Sequence, residues 1–493
     1  MARHDGLRQR SIVLAGGCAM ALAALGGPAA AQVLTKEYDN GGVYEGSFQD
    51  GRQHGQGTYR LPNGYEYSGN WVEGRIEGEG RARFPNGAEY VGQFRDGHPD
   101  GRGRIVFADG GTYEGAWVAG EIEGEGVAEY ANGMRYEGSF AKGAQHGQGI
   151  LTGPDGYRYE GGWVNGVKQG TGKITYPDGS TYEGDMAGGA PEGRGVLVSA
   201  DGSRYEGGWK AGQIEGEGLL VQENGDRYEG AFVAGRREGL GRATAANGDV
   251  YEGGFQADLR HGAGTLTAVD GFVYTGEWSE GRIAGQGKAT YPDGSVYEGN
   301  FRDGKPEGAG RITYANGSSY EGEWKDGTIS GRGVARYADD TVYEGEFADG
   351  KNHGTGKLTT PDGYSYEGGW AEGLRDGEGV ATYPDGTEYE GGFAGGVRSG
   401  RGTMRMAGGY VFEGTWKDGL LDGPGRATYP NGDVYEGDFA EGQRQGNGRM
   451  TFAGGQAFEG EWSEGQPVAP ADAALPPSAE TPAGPDDPAA RDG

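Results

Sequence analysis

Apolar and polar positions alternate with period two in short bursts along this chain. Tyr44-Glu45-Gly46-Ser47-Phe48 is the first burst, and the same aromatic-x-Gly-x-aromatic pattern returns every 23 residues up to Phe458-Glu459-Gly460-Glu461-Trp462. Alternation over five residues predicts a strand with one covered face, because successive side chains point to opposite sides. With the first aromatic counted as position 0, positions 0, 2 and 4 share a face and position 1 points away from it. Position 1 is Glu except at Ser68, Val91 and Thr275, and position 2 is always Gly.

A turn is expected at position 7, which is Gly in every copy except Asp258. A second strand is expected to begin near the Gly-x-Gly of positions 11 and 13, as in Gly78-Glu79-Gly80. It leads to a second turn, for which Phe84-Pro85-Asn86-Gly87 and Tyr291-Pro292-Asp293-Gly294 are clear signals. Pro presets φ at the second residue of such a turn, and Gly accepts a positive φ. Each 23-residue unit is therefore predicted to be a β-hairpin. An unbroken period of this length marks an array in which each unit is stabilised by its neighbours. The predicted fold is all-β: an elongated, twisted antiparallel meander of roughly 38 strands, extending about 180 Å at the usual strand spacing. Gln32 to Gly41 forms a leading half-repeat.

Composition sharpens this picture. The 493 residues include 110 Gly, without the every-third spacing of collagen. The net charge of −30 would suit a disordered chain, but 30 Tyr, 15 Phe and 9 Trp at regular spacing argue for a packed one. The acidity excludes nucleic acid as a partner and disfavours anionic lipid surfaces. Residues 1–31 read as a cleavable signal peptide. Arg3, Arg8 and Arg10 precede an apolar stretch from Ile12 to Leu25, and Ala29-Ala30-Ala31 offers cleavage between Ala31 and Gln32. The array is then expected over 32–465, followed by a disordered Pro/Ala/Asp-rich tail over 466–493. Export to the periplasm, or secretion from the cell, follows from this reading. Cys18 is the only Cys and lies in the leader, so the mature chain would have no thiol chemistry.

The motif Tyr-Glu-Gly-x-Trp/Phe-x-x-Gly, then Gly-x-Gly, then Pro-Asp-Gly, at a period of 23, resembles the MORN (membrane occupation and recognition nexus) repeat family. The resemblance covers essentially the whole chain between leader and tail. It implies an elongated antiparallel sheet with an aromatic-lined groove, and a role in scaffolding, membrane association or self-assembly.

All nine Trp occupy position 4, and they alternate with Phe, or once with Met186, apart from an irregularity near residues 228–255. Trp repeats often carry Ile or Leu at position 9. The effective unit is thus 46 residues. One reading is that large and small rings interdigitate in the core. The other makes Trp71, Ile76, Trp117, Ile122, Trp163, Trp209, Ile214, Trp278, Ile283, Trp324, Ile329, Trp370, Trp416, Leu421 and Trp462 a candidate interaction surface that mates with a second copy.

Catalytic constellations are not evident. His54, His146, His261 and His353 share position 10 but lie four or five repeats apart, about 40 Å or more, too far for one metal ion. No Gly-x-Ser-x-Gly or phosphate-loop pattern occurs. The Glu at position 1 forms a ladder of equivalent groups rather than an acid–base pair. No enzyme activity and no cofactor or metal is expected. The predicted function is an exported, non-catalytic scaffold of the cell envelope that binds a protein partner or assembles with itself. The alternatives are an aromatic groove for cell-wall glycan or for a membrane surface.

Overall fold

A computed structural model describes residues 33–468. The expected leader, with its Ala31–Gln32 cleavage site, and tail residues 469–493 lie outside the described residues. Two compact units divide at residues 246 and 247. Nineteen strands, from Val33–Glu37 to Arg236–Thr244, belong to the first; twenty, from Val250–Gln256 to Gln466–Pro467, belong to the second. Within each unit, every strand pairs antiparallel with its sequence neighbours, and no helix occurs among the described residues.

Each repeat but the last is a hairpin with a seven-residue strand and a nine-residue strand, such as Val43–Gln49 and Arg52–Arg60. The tight turn between them places both central residues at positive φ (Asp50 51°, Gly51 76°). That conformation matches the strand twist, which is why Gly dominates position 7. Asp258 occupies the same place at φ 72°. The second turn is closed by paired backbone bonds, as from Leu61 N to Tyr65 O (2.8 Å) and from Gly64 N to Leu61 O (3.0 Å). The Asn63 side chain accepts from Tyr65 N at 3.1 Å, which explains the Asn/Asp at that position.

The long strand begins at position 8, three residues earlier than the Gly-x-Gly signal suggested. The glycine at position 11 belongs to a bulge instead: Gly46 faces Gly57, whereas Phe48 faces Gln53, so the register shifts between them. Gly55, at φ 74°, absorbs the extra length. The first two residues of the expected tail belong to a strand. Gln466 and Pro467 continue the pattern, pairing with Ser463 and Trp462.

The two faces of the sheet differ completely. On the inner face, the Tyr at position 0 folds along its own strand and lies on the paired glycines. A Cβ placed on Gly57 would stand 2.2 Å from the Tyr44 Oη and 2.5 Å from its Cε2. The hydroxyl donates to the carbonyl of position 3, Ser47 O, at 3.0 Å. Tyr44 then meets Phe48 of its own repeat and Trp71 of the next edge-on, with centroids 5.1 and 5.2 Å apart. The same geometry recurs along both units, so each core Tyr commonly has one small and one large ring as neighbours. Such pairs contribute about 0.5–1.5 kcal/mol each beyond area burial. The outer face carries positions 1, 3, 12 and 14.

Candidate functional site

The position-4 Trp rings do not form a surface. All nine are 3–9% exposed, and Ile76, Ile122 and Leu421 are buried beside them. Ile214, Ile283 and Ile329 are half-buried. Each Trp Nε1 donates to the position-13 Gly carbonyl of the preceding repeat, as Trp71 to Gly57 O at 3.2 Å and Trp416 to Gly402 O at 3.1 Å. A buried indole N–H requires such a partner. The candidate interaction surface is thereby corrected to core for Trp71, Trp117, Trp163, Trp209, Trp278, Trp324, Trp370, Trp416 and Trp462 and for Ile76, Ile122 and Leu421, while Ile214, Ile283 and Ile329 keep a partly exposed edge. These rings also offer no open face for a sugar.

Burial has chemical consequences for this core. The Tyr297 and Tyr320 hydroxyls are pushed up to about 12, chiefly because the phenolate form would be desolvated. Position 9, opposite the ring, holds unexpected charges in some repeats. Arg375 and Arg444 are 1% exposed. Arg375 donates to the Tyr364 hydroxyl and the Gly396 carbonyl, with its guanidinium 5.1 Å from the Phe393 centroid. Lys168 takes the position that Ile holds in other Trp repeats. Its ammonium lies 4.8 Å from the Tyr157 centroid and 5.0 Å from that of Tyr159, and burial lowers its pKa to about 8.

The outer face of the second unit contains a groove of about 1190 Å³. Its floor is the backs of paired glycines, including Gly299/Gly310, Gly322/Gly333 and Gly345/Gly356. With no Cβ on these residues and the Tyr rings on the opposite face, the floor is bare backbone. One rim is the ladder of positions 1 and 14, in which Glu298, Arg311, Glu321, Val334, Glu344, Lys357 and Glu367 follow one another on successive strands. Ala309, Glu323, Arg332 and Thr355 form the other rim. The Lys357 ammonium pairs with Glu367 at 3.2 Å, and both side chains remain exposed. The lining thus has five carboxylates against three cations. The Glu ladder is legible in the sequence as a row of equivalent groups, but nothing in the pattern shows that the glycine row beside it is recessed.

The four position-10 His sit within the long strands. Among the described residues no group of three or more His, Cys, Asp or Glu is placed to hold a metal ion. Among the described residues no helix is long and apolar enough to cross a membrane.

Identical hairpins, ring-on-glycine packing and a continuous period define a β-hairpin repeat protein. The chain belongs to the MORN repeat family, which it matches in nineteen consecutive copies from 44–64 to 458–468. The comparison with curated proteins found no match. Among solved structures, it is similar to the SAS-4 (dCPAP) TCP domain of Drosophila melanogaster in complex with a proline-rich motif of Ana2. The identity is 16% over 40% of this chain and 88% of that one, with a TM-score of 0.20. The TCP10 domain of Danio rerio CPAP is 15% identical over 53% and 96%, with a TM-score of 0.16. Virginiamycin B lyase from Staphylococcus aureus is 10% identical over 58% and 92%, with a TM-score of 0.11. Likeness this low carries no inference about function.

Proposed function

We propose that this chain is a non-catalytic scaffold, exported to the cell envelope, that holds an extended segment of a protein partner in its outer-face groove. The observation that carries this reading is the groove itself. It is an open trough floored by bare backbone and rimmed by a ladder of carboxylates and cations. Exposed charges of this kind add specificity and association rate more than raw affinity, which suits recognition of a partner by its charge pattern. The core rings and their neighbours are occupied in holding the repeats together, so the outer face is the surface left for binding.

The test is paired capture from an envelope fraction, comparing the wild-type chain with Glu321→Lys/Glu344→Lys. A partner retained by the wild type and lost with the charge-reversed rim supports the reading; equal retention by both rejects it. Fractionation of cells expressing the chain with and without residues 1–31 tests the location, and cytoplasmic recovery of both forms would reject export.

A second reading, glycan binding, is favoured by one specific feature. Tyr314 and Tyr337 are 37% and 42% exposed, and with half-buried Tyr291 they occupy the same turn position in consecutive repeats. Two strands separate them, about 9.6 Å, a spacing close to the repeat of a β-1,4-linked disaccharide. Pull-down on purified peptidoglycan decides it, with no retention rejecting the idea.

A further inference from the structure

The described array begins and ends with complementary parts of one repeat. Val33–Glu37 occupies positions 12 to 16 of a repeat, and pairs with Val43–Ser47 as every long strand pairs with the repeat that follows it. The last short strand, Ala457–Ser463, pairs with Gln443–Thr451 on one side and on the other has only Gln466–Pro467, at positions 8 and 9, among the described residues. In the usual hairpin register, Gly460 at position 2 would face position 13 of a long strand, as Gly46 faces Gly57. The strand Val33–Glu37 of a second copy would supply that position and complete the repeat. An interface of this head-to-tail kind is heterologous, so it adds copy after copy into a filament, or into a ring where the rotation closes.

Position 13 of the leading strand is not Gly. It is Leu34, 48% exposed, with Val33 beside it 71% exposed. Inside the array, a Cβ at position 13 meets the position-0 ring wherever that ring is a Tyr. The distances are 2.2 Å to the Tyr297 Oη from Gly310 and 2.4 Å to the Tyr274 Oη from Gly287. The terminal ring is Phe458, which lies over Gly460, 2.8 Å from where a Cβ would be, and is held edge-on by Trp462 at 5.7 Å. On its own side, Leu34 faces Gly46 without conflict, because Tyr44 lies towards Gly57. Only the free side of the strand is barred.

We propose that Leu34 is a built-in stop: it leaves the leading strand paired within its own chain but prevents a second copy from docking its last short strand there. Edge strands are ready templates for pairing, and natural sheets carry devices that block them. An exposed Leu where the repeat demands Gly serves that purpose, and the blocking group is the Cβ rather than the rest of the side chain.

The test uses the full chain with Cys18→Ser, Thr35→Cys and Glu459→Cys in a glutathione redox buffer. Positions 1 and 14 stand opposite each other in this register, as Glu45 does Thr58, so docked copies would cross-link. With Leu34→Gly, a ladder of covalent multimers is expected that grows with protein concentration. Leu34 and Leu34→Ala, which both keep the Cβ, are expected to remain uncross-linked. Ladders of equal intensity with Leu34 in place would overturn the proposal. So would ladders with Leu34→Ala, or none with Leu34→Gly when its strand circular dichroism matches the parent's.

Discussion

Substituting Ala for Gly287 places a methyl group 2.4 Å from the Tyr274 Oη and 2.5 Å from its Cε2. The ring cannot yield freely. It is fully buried and edge-on to Trp278 at 5.5 Å and Phe301 at 5.2 Å, and its hydroxyl donates to Glu277 O at 3.0 Å. Overpacking a core costs about 1–3 kcal/mol, losing the hydroxyl bond about 1 kcal/mol, and loosening two edge-on contacts about 0.5–1.5 kcal/mol each. Since these losses are partial and coupled, Gly287→Ala is expected to destabilise the second unit by about 3–5 kcal/mol. The chain supplies its own control. Phe412, at position 0, has no hydroxyl to anchor it and lies parallel to Tyr410 (4°, centroids 6.3 Å apart). A Cβ on Gly425 would therefore meet no position-0 ring, its nearest neighbours being Glu413 O and Phe439 Cδ2 at 3.1 Å. Gly425→Ala is expected to cost under about 1.5 kcal/mol, the lower end of overpacking offset by reduced backbone entropy. Urea unfolding followed by circular dichroism measures both variants. Equal destabilisation, or a cost below about 1 kcal/mol for Gly287→Ala, would refute the ring-on-glycine account.

Lys168→Ile is expected to stabilise the chain by about 1–2 kcal/mol at pH 7, less than the full shift because the cation–π contacts are lost. The lowered folded pKa of about 8 means the unfolded chain binds this proton more tightly, so the penalty is complete below pH 8 and fades towards pH 10.5. A gain that persists undiminished at pH 10 would count against this. For the core tyrosines the sign is opposite. Tyr297, Tyr320 and Tyr366, held at about 12 when folded, contribute stability that is present below pH 10 and lost as pH rises through 12. Alkaline titration should therefore show tyrosinate absorbance rising together with loss of strand signal; ionisation well before unfolding would contradict their burial. Arg375→Ala removes a buried guanidinium from the Phe393 ring and the Gly396 carbonyl. A loss of about 2–4 kcal/mol is expected in thermal or urea melts, and an unchanged midpoint would make the contact idle.

The repeat boundaries, hairpins and turn residues were legible because local rules determine them: alternation for Tyr44 to Phe48, and Pro-Asn-Gly chemistry for Pro62 to Gly64. Gly55 was misplaced for a physical reason. A bulge glycine and a strand-initiating glycine look identical until the register of Phe48 against Gln53 is known. The Trp rings were open to two readings because amphipathic rings suit cores and surfaces equally. The Nε1 bond to the preceding repeat, which separates the two, is a contact between residues 14 apart. Arg375 and Lys168 escaped notice since a charge at position 9 reads as solvated. The groove was invisible because its floor is made of what the sequence lacks, side chains on Gly322 and Gly333.

The ring-on-glycine contact also governs how such a chain changes length. Tyr44 touches its own repeat and the next, so its side chain carries no information about how many repeats lie beyond. Gene duplication or loss in steps of 46 residues within a regular stretch preserves the ring-on-glycine contact and the alternation of Phe and Trp. Copy number in this molecule is therefore free to drift until something outside the packing, such as the span of a bound partner, sets it.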